Sequence, residues 1–134
     1  MAPVSLPLFS PEKATEFPDR LSALLANHLQ QITTILQENT AFTWDNLMRP
    51  LEEMEDALER FWSPLSHLHA VVNSPALRVC YQACLPQLSA YETAIGHNQA
   101  LYMAVKSLDK DSLSAVRHKI IDDALRDFAL SGIA

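Results

Sequence analysis

A chain of 134 residues is long enough for one domain with a sizeable core, and 49% hydrophobic against 19% charged residues argues against a disordered chain. The formal net charge of −6, from 10 Lys and Arg against 16 Asp and Glu, repels polyanions and so argues against nucleic acid or an anionic membrane as partner. No stretch approaches the ~18 uninterrupted apolar residues of a membrane-crossing helix. The start of the chain has neither the basic residues nor the apolar run of a secretion signal, so a cytoplasmic protein is expected.

With two glycines and apolar residues recurring at spacings of three and four, the pattern is that of α-helix throughout. The expected architecture is all-α, an antiparallel bundle-like domain of about four main helices with proline kinks, spanning residues 1–134. Met1 to Pro11 holds three of the eight prolines and reads as an extended arm over residues 1–11. Ser10 followed by Pro11 is, however, also a helix-start pattern.

The first main helix is predicted from about Pro18 to Glu38, with Leu21, Leu25, His28, Ile32 and Ile35 on one stripe. The second has the clearest periodicity, through Leu47, Leu51, Met54, Leu58, Phe61, Leu65, Leu68 and Val72, with Thr43 as its cap. Pro50 and Pro64 fall inside this run, and an interior proline costs about 3 kcal/mol, so a restart or kink is expected at each. The third is predicted to start at Ser74 and Pro75, to bend at Pro86, and to carry Leu77, Tyr81, Cys84, Leu88, Tyr91, Ile95, Tyr102 and Val105. Gly96 lies inside it, and a close helix contact is the expected reason for a residue that lowers helix propensity by about 1 kcal/mol relative to Ala. After the polar turn Asp109 to Ser112, a last helix capped by Asp111 or Ser112 should present Leu113, Val116, Ile120, Ala124 and Phe128 and stop at Gly132.

Motifs that carry chemistry are missing where the bundle could place them. A zinc peptidase helix uses H-E-x-x-H because residues four apart grip one metal while the Glu activates water. None of His28, His67, His69, His97 and His118 is followed by Glu or has a second His four residues on. His67 and His69, two apart on a helix, point roughly 200° away from one another and cannot share an ion. They are expected to sit one near the core and one in solvent, with His28 as a hydrogen-bonded core histidine. No Glu has a His three residues later, which leaves out a di-iron bundle site.

Cys80 and Cys84 lie one turn apart and are expected to be reduced, core-packed thiols. Glu52, Glu53, Glu55, Asp56 and Glu59 read first as a solvated helix face, with a surface for basic peptides or a basic partner as the functional alternative, partly offset by Arg49 and Arg60. With only Gly96 and Gly132 available, there is no nucleophile elbow and no phosphate loop. The residues thus nominate no catalytic, cofactor-binding or metal position.

Longer segments carry a family resemblance. The Leu6 to Phe9 opening, Thr43-Trp44-Asp45-Asn46-Leu47 with Pro50-Leu51-Glu52, and Trp62-Ser63-Pro64-Leu65-Ser66-His67-Leu68 are similar to the amino-terminal part of the oligopeptidase A and thimet oligopeptidase family of zinc metallopeptidases. So are Val71-Val72-Asn73-Ser74-Pro75, Ala83-Cys84-Leu85-Pro86, Leu125-Arg126-Asp127-Phe128 and Leu130-Ser131-Gly132-Ile133, so the resemblance covers nearly the whole chain. It implies one wall of a channel that admits short peptides, in a protein several times longer whose H-E-x-x-H zinc helix lies far downstream. It therefore implies zinc and hydrolysis of short peptides for the full-length family, a missing carboxyl-terminal catalytic half as partner, and no activity for this chain alone. An apolar face left without its opposite wall would promote self-association. The rival expectation is a stand-alone helical adaptor that holds a partner in a groove between the second and third helices.

Overall fold

The computed structural model describes residues 11–71 and 74–132, and every element in that part is helical. In chain order they are α1 (Pro11–Glu38), a π-helical turn (Trp44–Met48), α2 (Arg49–Val71), α3 (Pro75–Gly96), α4 (Gln99–Lys106), a 3-10 turn (Lys110–Ser112) and α5 (Ala115–Leu130). The expected arm lies outside the described residues except for Pro11, which opens α1, and Val72 of the second stripe also lies outside them.

The helix starts follow local chemistry. α1 begins at Pro11, about two turns before the predicted Pro18, which becomes an interior residue. Thr43 caps the π turn in a two-way box: its hydroxyl accepts from the Asn46 amide, and the Asn46 side chain accepts from the Thr43 amide. The π turn has a simple cause. Pro50 has no N–H to give to the carbonyl one α turn back, and the Arg49 amide instead reaches to the Trp44 carbonyl, widening the turn before α2. A restart at Pro50 is thus present in this form. Of the restart or kink expected at Pro64 there is no restart: the helices continue unbroken through Pro64 and Pro86. Leu65, adjacent to Pro64, is fully buried, and its packing offsets the lost backbone bond.

Three corrections concern the second half. The predicted third helix ends at Gly96, and a new helix starts at Gln99, where the Asn98 side chain accepts from the Leu101 amide. Asn98 is a strong cap in sequence, and the unbroken apolar phase on either side concealed it. At α5 the cap is Ser114, whose hydroxyl accepts from the Arg117 amide, and not Asp111 or Ser112. Val116 is 71% exposed, while Ile121 is buried. Val116 lies roughly 140° around the helix from Ile121. The inward position is taken by Arg117, with its guanidinium 4.7 Å from the Trp44 ring centroid. Gly132 follows α5 with φ of 91°, the left-handed stop that glycine adopts without strain.

Helix α2 runs antiparallel to α1 and α3. Phe17 near the start of α1 stacks on Phe61 in the middle of α2 at 4.5 Å, while Ile32 in the last third of α1 joins Met48 of the π turn and Met54 near the start of α2. Trp62 stacks on Tyr81 in the first third of α3 at 5.2 Å. α4 and α5 form a second, antiparallel pair in which Tyr102 meets Phe128 edge-on at 5.4 Å. Two apolar clusters result. One joins Leu21, Leu25, Leu65, Leu77 and Cys84 among α1, α2 and α3. The other joins Ile32, Trp44, Leu47, Leu101, Val105, Ile121 and Phe128 among α1, the π turn, α4 and α5.

Candidate functional site

The densest polar cluster sits where the 3-10 turn meets α5, beside a solvent-open groove. Capping by Ser114 sets the phase of α5 so that His118 and Asp122 share a face. Lys110 Nζ donates to Asp122 Oδ1 at 2.9 Å, and His118 Nδ1 lies 3.0 Å from Asp122 Oδ2. One helical position further on, Lys119 and Arg126 pair with Asp123 at 3.2 and 3.4 Å. The hydrogen bond from Lys110 is the main reason that the Asp122 carboxyl is held below the ordinary carboxylate range, with Lys110 and His118 charge adding to it. Both oxygens of Asp122 are engaged. A carboxylate so placed ties the turn to the helix and is not free to accept a substrate proton. Sequence reading passed over this cluster, although His118 and Asp122 at i and i+4 after a Lys-bearing turn were the available signal.

The histidines fall into five separate surroundings. His28 is buried with Nδ1 3.5 Å from the Tyr91 hydroxyl, which bears out a core histidine. Burial pushes its pKa down, and burial followed by the Glu55 charge pushes Tyr91 up, so both groups stay neutral at pH 7. His69 is half-buried and stacks on Tyr81 at 3.9 Å and 4°, while His67 is exposed, as the helical spacing required. His97 Nε2 meets the Ser131 carbonyl oxygen at 2.6 Å, and His118 faces Asp122.

Among the described residues no three His, Cys, Asp or Glu side chains come together to hold a metal ion. A zinc centre of the kind the family resemblance implies does not fit onto them. Cys80 and Cys84 are free and buried, and burial raises both thiols, Cys84 to about 12. The acidic run on α2 is exposed, with Arg60 paired to Asp56 at 2.6 Å and Arg49 to Asp45 at 2.9 Å. The seam between α2 and α3, where an adaptor would hold its partner, is occupied by the chain's own Trp62, Tyr81 and His69 rings.

What the fold defines is an all-helical domain in which side-chain caps at Thr43, Ser74, Asn98 and Ser114 fix helix starts and the Lys110, His118 and Asp122 contacts tie the 3-10 turn to α5. The chain belongs to the neurolysin and thimet oligopeptidase N-terminal domain family, whose model matches residues 21–134. It is 39% identical to oligopeptidase A of Escherichia coli over 99% of this chain and 20% of that protein. It is 41% identical to oligopeptidase A of Salmonella typhimurium over 96% of this chain and 20% of that protein. It is 30% identical to the organellar oligopeptidase A of Arabidopsis thaliana over 96% of this chain and 17% of that protein. The chain thus spans about a fifth of the length of the bacterial relatives it matches. No solved structure matches it. Among the described residues no helix is long and apolar enough to cross a membrane.

Proposed function

We propose that this chain is the amino-terminal, channel-wall portion of a cytoplasmic zinc metallo-oligopeptidase that hydrolyses short peptides, and that it is non-catalytic by itself. The carrying observation is the match at about 40% identity across nearly all of this chain to only the equivalent of a fifth of oligopeptidase A. In this reading residues 1–134 act as scaffold, and the zinc ligands, the water-activating Glu and most peptide contacts belong to polypeptide outside this segment. The scattered histidines and the fully engaged Asp122 support that division of labour. Two buried free thiols are compatible with a reducing compartment.

The test is a chimera in which these 134 residues replace the matching amino-terminal fifth of Escherichia coli oligopeptidase A. Chelator-sensitive cleavage of a quenched short peptide by the chimera, with none by the chain alone, is the expected result. Stoichiometric tight zinc and chelator-sensitive cleavage in the purified 134-residue chain would overturn the proposal.

A further inference from the structure

The charges of this protein are unevenly placed. From Leu21 to Gln37 the chain has no Asp, Glu, Lys or Arg, and from Pro75 to Val105 only Arg78 and Glu92 are charged. These two stretches form most of α1 and all of α3, which lie side by side: Gln87 Nε2 donates to the Pro18 carbonyl at 3.2 Å, and Tyr91 faces His28. α2 covers their seam through Leu65 and Phe61 on one side, so the outward surfaces of both helices share the other side. On α3 that surface is the stripe Ala76, Val79, Ala83, Pro86, Ala90 and Ala94, at spacings of three and four and exposed at every position. Val79 on this stripe is 68% exposed. On α1 the neighbouring exposed side chains are Ala, Asn, Gln, Ser and Thr. Apart from the Arg20 and Glu16 pair in the first turns of α1, before the uncharged stretch begins, the acidic run and the ion pairs of the described residues lie on the π turn with α2 and on the 3-10 turn with α5.

A helix face in permanent contact with water ordinarily carries charge, whereas the centre of an interface is depleted of it. Small side chains also let another helix approach closely. We infer that the uncharged outward face of α1 and α3 is where this segment docks on the polypeptide that follows it in the longer relatives, through an apolar helical surface of that polypeptide. The inference rests on the proposal that the segment works within a longer chain, four-fifths of which lies beyond the matched region in the bacterial relatives. A second copy is the weaker occupant, because a tethered surface acts at an effective concentration on the order of millimolar and outcompetes a free one.

Ala83→Lys with Ala90→Lys, made in the chimera described above, tests this against Ala70→Lys, an exposed position on α2. In the 134-residue chain all three substitutions face solvent and should leave the melting temperature unchanged. In the chimera the α3 pair should lower the melting temperature by about 5 °C or more and peptide cleavage at least tenfold, with Ala70→Lys neutral. A competent unmodified chimera that tolerates the α3 pair overturns this inference and leaves the parent function standing. An unmodified chimera that fails to fold removes the parent function and the inference together. A dimer of the 134-residue chain that the same pair dissociates, with the chimera untouched, assigns the face to a second copy and overturns the inference.

Discussion

Gly96 and Ser131 pack so closely that a Cβ built on Gly96 would stand 2.5 Å from the Ser131 Oγ and 2.9 Å from its Cβ. The expected reason for this glycine, a helix contact, is therefore present, and its partner is the end of α5. Two effects compete in Gly96→Ala. Helix propensity favours Ala by about 1 kcal/mol, and overpacking costs about 1 to 3 kcal/mol. The Ser131 Cβ is fixed to the backbone whose carbonyl bonds His97, so it cannot swing away cheaply. Gly96→Ala should destabilise by about 1 kcal/mol in urea melts, and adding Ser131→Gly should restore the loss. An Ala variant at least as stable as the parent would show that the junction yields freely.

Core truncations separate full from partial burial. Leu65 is 0% exposed and abuts Pro64, whereas Leu58 on the same stripe is only half-buried. Leu65→Ala should cost about 3 to 5 kcal/mol and Leu58→Ala about 2 kcal/mol or less. Equal losses from the two would mean that α2 is rotated from the phase described.

Acid should weaken the fold in two separate windows. Buried His28 has its folded pKa lowered from 6.5, so above that value the imidazole is neutral in both states. As pH falls through 6.5 the unfolded chain takes up a proton that the folded chain refuses, and stability declines. His28→Asn should flatten the dependence of the urea midpoint between pH 7.5 and about pH 5.5. Asp122 acts lower: its folded pKa is depressed below 3.8, so its contribution is complete above that value and is lost as pH falls through the folded pKa. Asp122→Asn should lower the urea midpoint at neutral pH and change the slope only along that acidic limb. A His28→Asn variant with the parent's slope near neutrality would locate the buried proton site elsewhere.

Thiol reactivity reports the packing of α3. Cys84 is 0% exposed with its pKa pushed up to about 12, and Cys80 is 3% exposed and also raised. Neither should react with a disulfide reagent at pH 8 until denaturant unfolds the chain, after which both should. Rapid labelling of a thiol in the native protein would show that α3 opens locally.

The helical class and most stripe residues were legible because 3.6-residue periodicity is written in the apolar positions themselves. Leu21, Leu25, His28, Ile32, Leu47, Met54, Leu65, Leu77, Cys84 and Tyr91 are buried as their spacing required. The division at Gly96 was not legible, since Ile95 and Tyr102 keep the same phase on either side of the break and only the Asn98 cap marks it. Val116 was misplaced because hydrophobicity ranks it above Arg117, and the contact of Arg117 with Trp44 depends on a residue 73 positions away. The Lys110, His118 and Asp122 cluster went unseen for the same reason: its members are ordinary surface residues until the turn brings Lys110 back over α5.

Ile95 packs against both apolar clusters and is, among the described residues, the side chain that belongs to each. Heat or denaturant can therefore reach the two ends of the protein as a single event only while that side chain and the unbroken α1 and α2 rods carry strain from one end to the other. Shortening Ile95 would loosen this hinge of cooperativity, and the α4 and α5 pair would then exchange its amide protons ahead of the three-helix end.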